Sequence, residues 1–284
     1  MHLILSSYES VVNGLTVDLE DWYHICGVED YSDPLQWGSY ENRIIKNTDK
    51  ILDLFRSYNI KATFFVLGYI ALKEPDLIKT IKDEGHEIAT HGFYHRRVFE
   101  MTEREFEEDV GKSVSTISSI TGSRVFGFRA PEWSIRKETP WALKILRKLG
   151  ILYDSSMVPL TRMGSRDFPR YPCKFDTDYG EIWEFPLTTV RLFWERLPFT
   201  GGLPLRMFPY FYILSKIQRI NWEGYPAIVY IHPWEFDMEQ PHIDLPFSRK
   251  FMHYFNIKAT PKKVEGLLRH LRFAPVSEVI RLHA

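Results

Sequence analysis

Short apolar runs alternate with amphipathic stretches along most of this chain, and that alternation limits the fold more than any other feature. Residues 11–17 read as a strand that ends at Asp18. Residues 41–58 carry helical spacing, with Ile44, Ile45, Ile51, Leu52, Leu54 and Phe55 apolar. The run Ala62-Thr63-Phe64-Phe65-Val66-Leu67 has the length of a buried strand. A helix is predicted over 75–84 with Gly85 as its stop, followed by a short strand over 86–90. Thr102 with Glu105 three residues later is a capping-box pattern that opens a helix running to Thr121. Further strands are predicted at 125–129, 151–154, 182–187 and 227–231. Further helices are predicted at 138–149, 205–220 and 261–271, with a last segment at 273–280.

Repeated strand-then-helix units predict a parallel sheet with helices outside it. The chain has 284 residues, 44% of them hydrophobic, which is enough for one large core and within the range of a single α/β barrel. No repeat, low-complexity tract or linker divides it, so one domain is expected. Asp18, His91, Arg129, Asp154 and His232 each follow a predicted strand, and in an α/β barrel those strand ends converge on one face, where catalytic groups gather.

His91 and His95 are four apart in Thr90-His91-Gly92-Phe93-Tyr94-His95. On a helical turn both imidazoles would lie on one face and reach a single ion. One carboxylate from the cluster Asp18, Glu20 and Asp21 would complete a His₂-carboxylate site with an open position, the hydrolytic arrangement rather than the closed structural one. Such sites suit zinc, and cobalt, nickel or iron accept the same ligands.

Other signals exclude more than they assert. A formal net charge of -1 and the lack of a basic run argue against a nucleic-acid partner. Cys26 and Cys173 form no CxxC pair and are expected as free thiols in a reducing compartment. The opening Met1-His2-Leu3-Ile4-Leu5-Ser6-Ser7 lacks the pattern of a secretory signal, and no stretch approaches the ~20 apolar residues of a membrane span. A cytoplasmic protein is expected, with room for contact at the inner face of the membrane: the run from Arg206 to Leu214 is apolar enough to be buried or to face a lipid carrier. Aromatic content is 15%, which serves either sugar platforms or a core.

Five segments in order resemble the polysaccharide deacetylases of the NodB-homology type (carbohydrate esterase family 4). Thr16-Val17-Asp18-Leu19-Glu20-Asp21 stands for the first motif and His91-Gly92-Phe93-Tyr94-His95 for the second. Arg129-Ala130-Pro131-Glu132-Trp133 matches the third, Asp154-Ser155-Ser156-Met157 the fourth more loosely, and Tyr230-Ile231-His232-Pro233 the fifth. The resemblance implies a single distorted (β/α) barrel, with about seven parallel strands and a divalent metal at its mouth. It covers residues 12–235. Phe199-Thr200-Gly201-Gly202 and Leu271-Arg272-Phe273-Ala274-Pro275 are similar to a narrower branch from exosortase-associated exopolysaccharide loci, which implies that 236–284 is a C-terminal extension packed on the barrel.

The resemblance also implies roles. The family usually has two adjacent aspartates, base then ligand, whereas this chain has Asp18, Glu20 and Asp21. Asp18 keeps the place directly after the strand and is expected as base. The metal ligands are expected to be His91, His95 and Asp21, with Glu20 as the alternative carboxylate. A register with Glu20 as base and Asp21 as ligand stays open. His232 would protonate the leaving amine, Arg129 would hold Asp18 ionised, and Asp154 would do the same for His232, although Asp-Ser-Ser is also a common turn. Pro131 with the Glu132 backbone N–H, Trp133 and Trp234 are expected at the substrate, and Trp183 is a weaker candidate. The implied reaction is removal of N-acetyl groups from N-acetylhexosamine units of an exopolysaccharide or its lipid-linked precursor. An O-acetyl esterase, an allantoinase-like cyclic-amide hydrolase and a non-catalytic glycan-binding barrel are the competing readings.

Overall fold

A computed structural model describes residues 11–161, 163–192 and 195–283. The opening segment read above for a signal lies outside them. In chain order the elements are β1 (Val12–Leu19), α1 (Ile44–Ser57), β2 (Thr63–Val66), α2 (Pro75–Asp83), β3 (Glu87–Thr90), α3 (Glu103–Thr121), β4 (Gly127–Phe128), α4 (Trp141–Lys148), β5 (Tyr153–Asp154) and β6 (Cys173–Thr177). There follow β7 (Gly180–Glu184), β8 (Thr189–Leu192), β9 (Glu195–Pro198), α5 (Gly202–Met207), α6 (Tyr210–Trp222), β10 (Ile228–Ile231), α7 (Phe247–Tyr254), α8 (Thr260–His270), β11 (Arg272–Ala274) and α9 (Val276–His283).

The main sheet runs β10-β1-β2-β3-β4-β5-β7-β6, with β11 alongside β1. Every pairing in it is parallel except the β6–β7 hairpin. This is the α/β barrel architecture expected from the alternation. No strand ladder joins β7 to β10 among the described residues. That seam is crossed instead by the Ile228 N–H donating to Thr188 Oγ1 (2.7 Å) and by a parallel bridge between Gly201 and Tyr230.

Burial explains why these segments are strands. In β1 every residue from Asn13 to Leu19 is buried, as in a parallel strand covered on both faces. One apolar cluster lies between strands and helices, with Leu15, Val17, Ile51, Phe55, Phe64, Val66, Phe106 and Ile217 among its members. A second unites Phe65, Ala89, Tyr153, Phe185 and Ile228 with Val276, Val279 and Ile280 of α9. The α9 N-terminus donates from Val276 to Thr63 Oγ1 (2.8 Å) and from Ser277 to the Glu87 carboxylate (3.1 Å), both on the sheet's strands, where its dipole favours the negative charge. The last helix therefore plugs the barrel at the end where β2 and β3 begin.

Three features depart from the sequence-based expectation. The single helix predicted over 205–220 is two, α5 and α6, because Phe208 is extended and Pro209 cannot continue a helix from it. Ile213 and Ile217 of that run are buried, whereas Met207 and Phe211 face outward. The strand β6, the hairpin β8–β9 and the helix α7 carried no periodic signal strong enough to predict.

Candidate active site

The histidines sit on a loop, not on a helical turn as their spacing suggested. Gly92 (φ +76°) turns the chain after β3, and His95 adopts the left-handed region (φ +53°). Helix α3 holds this loop from behind. Asp109 accepts the N–H groups of Phe93 (2.7 Å) and Tyr94 (3.2 Å), and the Ser113 hydroxyl donates to Gly92 O (3.0 Å). Folded in this way, the loop brings both imidazoles to one point. Nε2 of His91 and Nε2 of His95 each lie 2.9 Å from the same oxygen, Glu20 Oε1.

The carboxylate at that point is Glu20, so the preference for Asp21 is corrected. Asp18 and Glu20 are two apart at the end of β1, and alternate residues of an extended strand fall on one side. Asp21 turns away: its oxygens accept the N–H groups of Trp22 and Arg43, both at 2.8 Å, and so tie the loop after β1 to the start of α1. Burial pushes its carboxyl up to about 6 against those bonds. In the register that made Glu20 the base, Glu20 would stand apart from the histidines. It does not.

The donor set fits a divalent cation. The acceptor atoms of Glu20, His91 and His95 all lie within 4.8 Å of one another in a buried cluster. His91 Nδ1 donates to Arg129 O (2.8 Å), which leaves the Nε2 lone pair facing Glu20. The Cys26 thiol donates to His95 O (3.2 Å), and its sulfur lies 3.4 Å from His95 Nδ1. That contact holds the second ring in the same tautomer.

Asp18 stands beside this cluster. Its Oδ1 accepts from Arg129 Nη1 at 2.6 Å, and its Oδ2 is 3.9 Å from His232 Nε2. Arg129 is fully buried, donates also to Thr16 Oγ1 (2.8 Å), Ser155 O and Ser155 Oγ, and lies over the rings of Phe65 (4.1 Å) and Trp133 (4.3 Å). A guanidinium so fully satisfied fixes the carboxylate it touches.

Asp154 does not serve His232. It accepts from the Ser156 hydroxyl and faces Glu184 across the β5–β7 register. Burial pushes Asp154 up to about 6 and Glu184 well above its usual value. The partner of His232 is Glu235, whose Oε2 lies 3.0 Å from Nδ1 and also accepts the His232 backbone N–H (3.1 Å). Glu235 occupies the fourth position of His232-Pro233-Trp234-Glu235, a capping-box arrangement that could have been read from the sequence.

The expected substrate residues divide. Pro131 and Trp133 are buried, and Trp133 supports Arg129 rather than lining open space. Glu132 and Trp133 both have positive φ (50° and 55°), a strained pair in the turn that follows β4 and Pro131, and the Glu132 side chain pairs with Arg97 (3.1 Å). Trp234 is a backing plate: one face stacks on His232 (5.0 Å, 22°) and the other on His253 (4.4 Å, 13°). Trp183 lies on β7 beneath Lys174, away from these groups. His24 is a buried structural residue whose Nδ1 accepts the Asp21 N–H (2.8 Å).

A sequence model of the polysaccharide deacetylase family matches residues 38–153, and one described as a domain of unknown function (DUF3473) matches residues 155–281. A peptidoglycan deacetylase of Helicobacter pylori is 31% identical over 173 residues, 61% of this chain and 55% of the relative. The chain is related to the polysaccharide deacetylases. It spans about half the length of that relative, which is 55% covered. Among solved structures, a Mycobacterium smegmatis protein described as a polysaccharide deacetylase superposes with a TM-score of 0.69 at 18% identity, over 98% of this chain and 91% of that one. The Puue allantoinase follows with a TM-score of 0.61 at 16% identity, over 97% and 91%. At those identities the likeness is one of fold: this relative of the deacetylases has the same α/β architecture as both.

Proposed function

We propose that the protein is a metal-dependent N-deacetylase acting on N-acetylhexosamine units of a bacterial exopolysaccharide or its lipid-linked precursor. The observation that carries this reading is a single carboxylate oxygen, Glu20 Oε1, 2.9 Å from Nε2 of both His91 and His95, with an Arg129-held Asp18 and a Glu235-held His232 beside it. The names of the relatives point to the same chemistry on acetylated glycans.

Glu20, His91 and His95 would hold the cation, with zinc the best match to two imidazoles and a carboxylate. Bound there, it supplies Lewis acidity and lowers the pKa of water from 15.7 towards ~7. Asp18, held in place by Arg129, takes the proton of the attacking water. His232 stands across from it and gives a proton to the departing amine, with its ring fixed by Glu235 at Nδ1 and by Trp234 on one face. The Glu132 backbone N–H, after Pro131, is assigned to the developing oxyanion, where the strained 132–133 turn aims it. Trp133 sets the base through Arg129.

No helix among the described residues is long and apolar enough to cross a membrane. We place the enzyme in the cytoplasm, with the inner face of the membrane as an option where the substrate is lipid-linked. The deciding experiment measures acetate released from N-acetylglucosamine oligomers, before and after metal removal. Acetate release that is lost with chelator and restored by zinc supports the reading. Ring opening of allantoin without acetate release would move the site to cyclic amides, and glycan binding without turnover would make it a binder.

A further inference from the structure

Arg206 lies outside all five motif segments, on α5, yet it is among the largest fully buried side chains of the molecule. A buried guanidinium needs acceptors on every side. Here Nη1 donates to the carbonyls of His253 (2.7 Å) and Phe255 (3.0 Å), Nη2 to that of Met252 (2.6 Å), and Nε to Gly202 O (3.3 Å). Nε also forms an ion pair at 3.1 Å with Glu235 Oε1, the oxygen of that carboxylate not used by His232. The Arg206 guanidinium lies beside the Trp234 ring as well (5.5 Å), and that ring is clamped between His232 and His253.

Two routes thus run from Arg206 to the His232 ring. One passes through Glu235 to Nδ1, and the other through Met252–Phe255, His253 and Trp234 to the ring face. The His253 side chain is itself fixed, with Nε2 2.8 Å from Gln240 Oε1. The geometry points to Arg206 as a positioning residue for the proton donor: it locks Glu235 and the carbonyls of 252–255 into one assembly and makes the segment after residue 236 part of the acid machinery. This rests on the N-deacetylase reading in that His232 is taken as the acid. Against the cost of burial, the bond from His232, and after it the charge of Arg206, hold this carboxylate below its usual value. The sequence offered no sign of the pair, because Arg206 and Glu235 are 29 positions apart and Arg206 lies in no recognisable pattern.

The test compares two substrates. An amine leaves poorly without a proton, whereas 4-nitrophenolate leaves from an aryl acetate without one. Arg206→Met, Arg206→Lys, Glu235→Gln and the Arg206→Met/Glu235→Gln double variant are assayed on both. Lysine keeps the charge but cannot reach a carboxylate and four carbonyls together, and the double variant removes both buried charges, so folded protein is expected from these two even where Arg206→Met fails. The expected result is a fall in amide kcat of about tenfold or more with KM little changed, and a fall in aryl-acetate turnover of less than about threefold. Because Arg206 acts through Glu235, adding Arg206→Met to Glu235→Gln should cost almost nothing further. Equal losses on both substrates, an unchanged amide kcat in Arg206→Lys, or full additivity in the double variant would overturn the assignment. Absence of acetate release by the wild type would refute the deacetylase reading alone. Side-chain ¹⁵N spectra of His232 then decide the positioning role without turnover: loss of the Nδ1-protonated form in Arg206→Lys supports it, and an unchanged spectrum rejects it.

Discussion

At the scale of single residues, the site divides its labour by what each side chain touches. Asp18 is gripped by Arg129 and faces His232, so on the proposed reading Asp18→Asn should lower kcat by about 10² to 10⁴ while bound metal stays at wild-type stoichiometry. His91→Ala should instead abolish bound metal, as read by elemental analysis of the purified protein. His232 carries a pH signature. Burial lowers its pKa, but Glu20, the bond and charge of Glu235, and Asp18 outweigh burial and push it up to about 8. The donor is loaded below that value, so kcat should fall as pH rises through it. A cation neutralising Glu20 draws this limb lower, and Glu235→Gln should move it lower still in a kcat–pH profile. The Glu20–Asp21 choice shows what sequence could not provide. Both are acids one residue apart, and only the direction in which the strand end presents each one separates ligand from backbone anchor.

At the scale of elements, the loop that carries His91 and His95 is held from behind by helix α3. Asp109 of α3 accepts two loop N–H groups. Asp109→Ala would leave both unpaired, at a cost of about 1–3 kcal/mol of stability. It should also weaken metal affinity by about 10–100-fold, checked by denaturant melts and a competitive metal titration. Gly68 opens the short helix Gly68–Lys73 after β2, and its N–H donates to Gly92 O of that loop (2.9 Å). A Cβ there would lie 2.4 Å from the Phe93 ring and 3.0 Å from Ser113 Cα, so Gly68→Ala should destabilise by about 1–3 kcal/mol. The facing carboxyls of β5 and β7 give a third expectation. Burial raises Asp154 to about 6 and Glu184 well above its ordinary value, so the folded state binds protons more tightly than the unfolded chain. That favours folding below the unfolded values near ~4 and is lost as pH rises through the folded ones. Glu184→Gln, which keeps an acceptor for the Met157 N–H (2.9 Å), should flatten the decline and raise Tm at pH 8.

At the scale of the whole molecule, the barrel was legible because its strands are buried on both faces and therefore read as apolar runs at regular intervals. The strand-end positions of Asp18, His91, Arg129 and His232 followed from that rhythm. Asp154 followed it too and misled, since a polar residue after a strand is equally at home in a turn. What stayed hidden was long-range pairing. Arg206 with Glu235, Asp154 with Glu184 and the α9 plug join segments whose local patterns say nothing of one another. One residue bridges these levels. Arg129 grips Asp18 with its guanidinium and steers His91 with its own carbonyl oxygen. Asp18 and the His91 imidazole, the proposed base and a proposed metal ligand, therefore share a single pivot at the tip of β4. Arg129→Lys, which keeps the charge but not the fork, should therefore disturb the Asp18 carboxylate far more than the His91 ring, because the carbonyl that holds His91 belongs to the backbone.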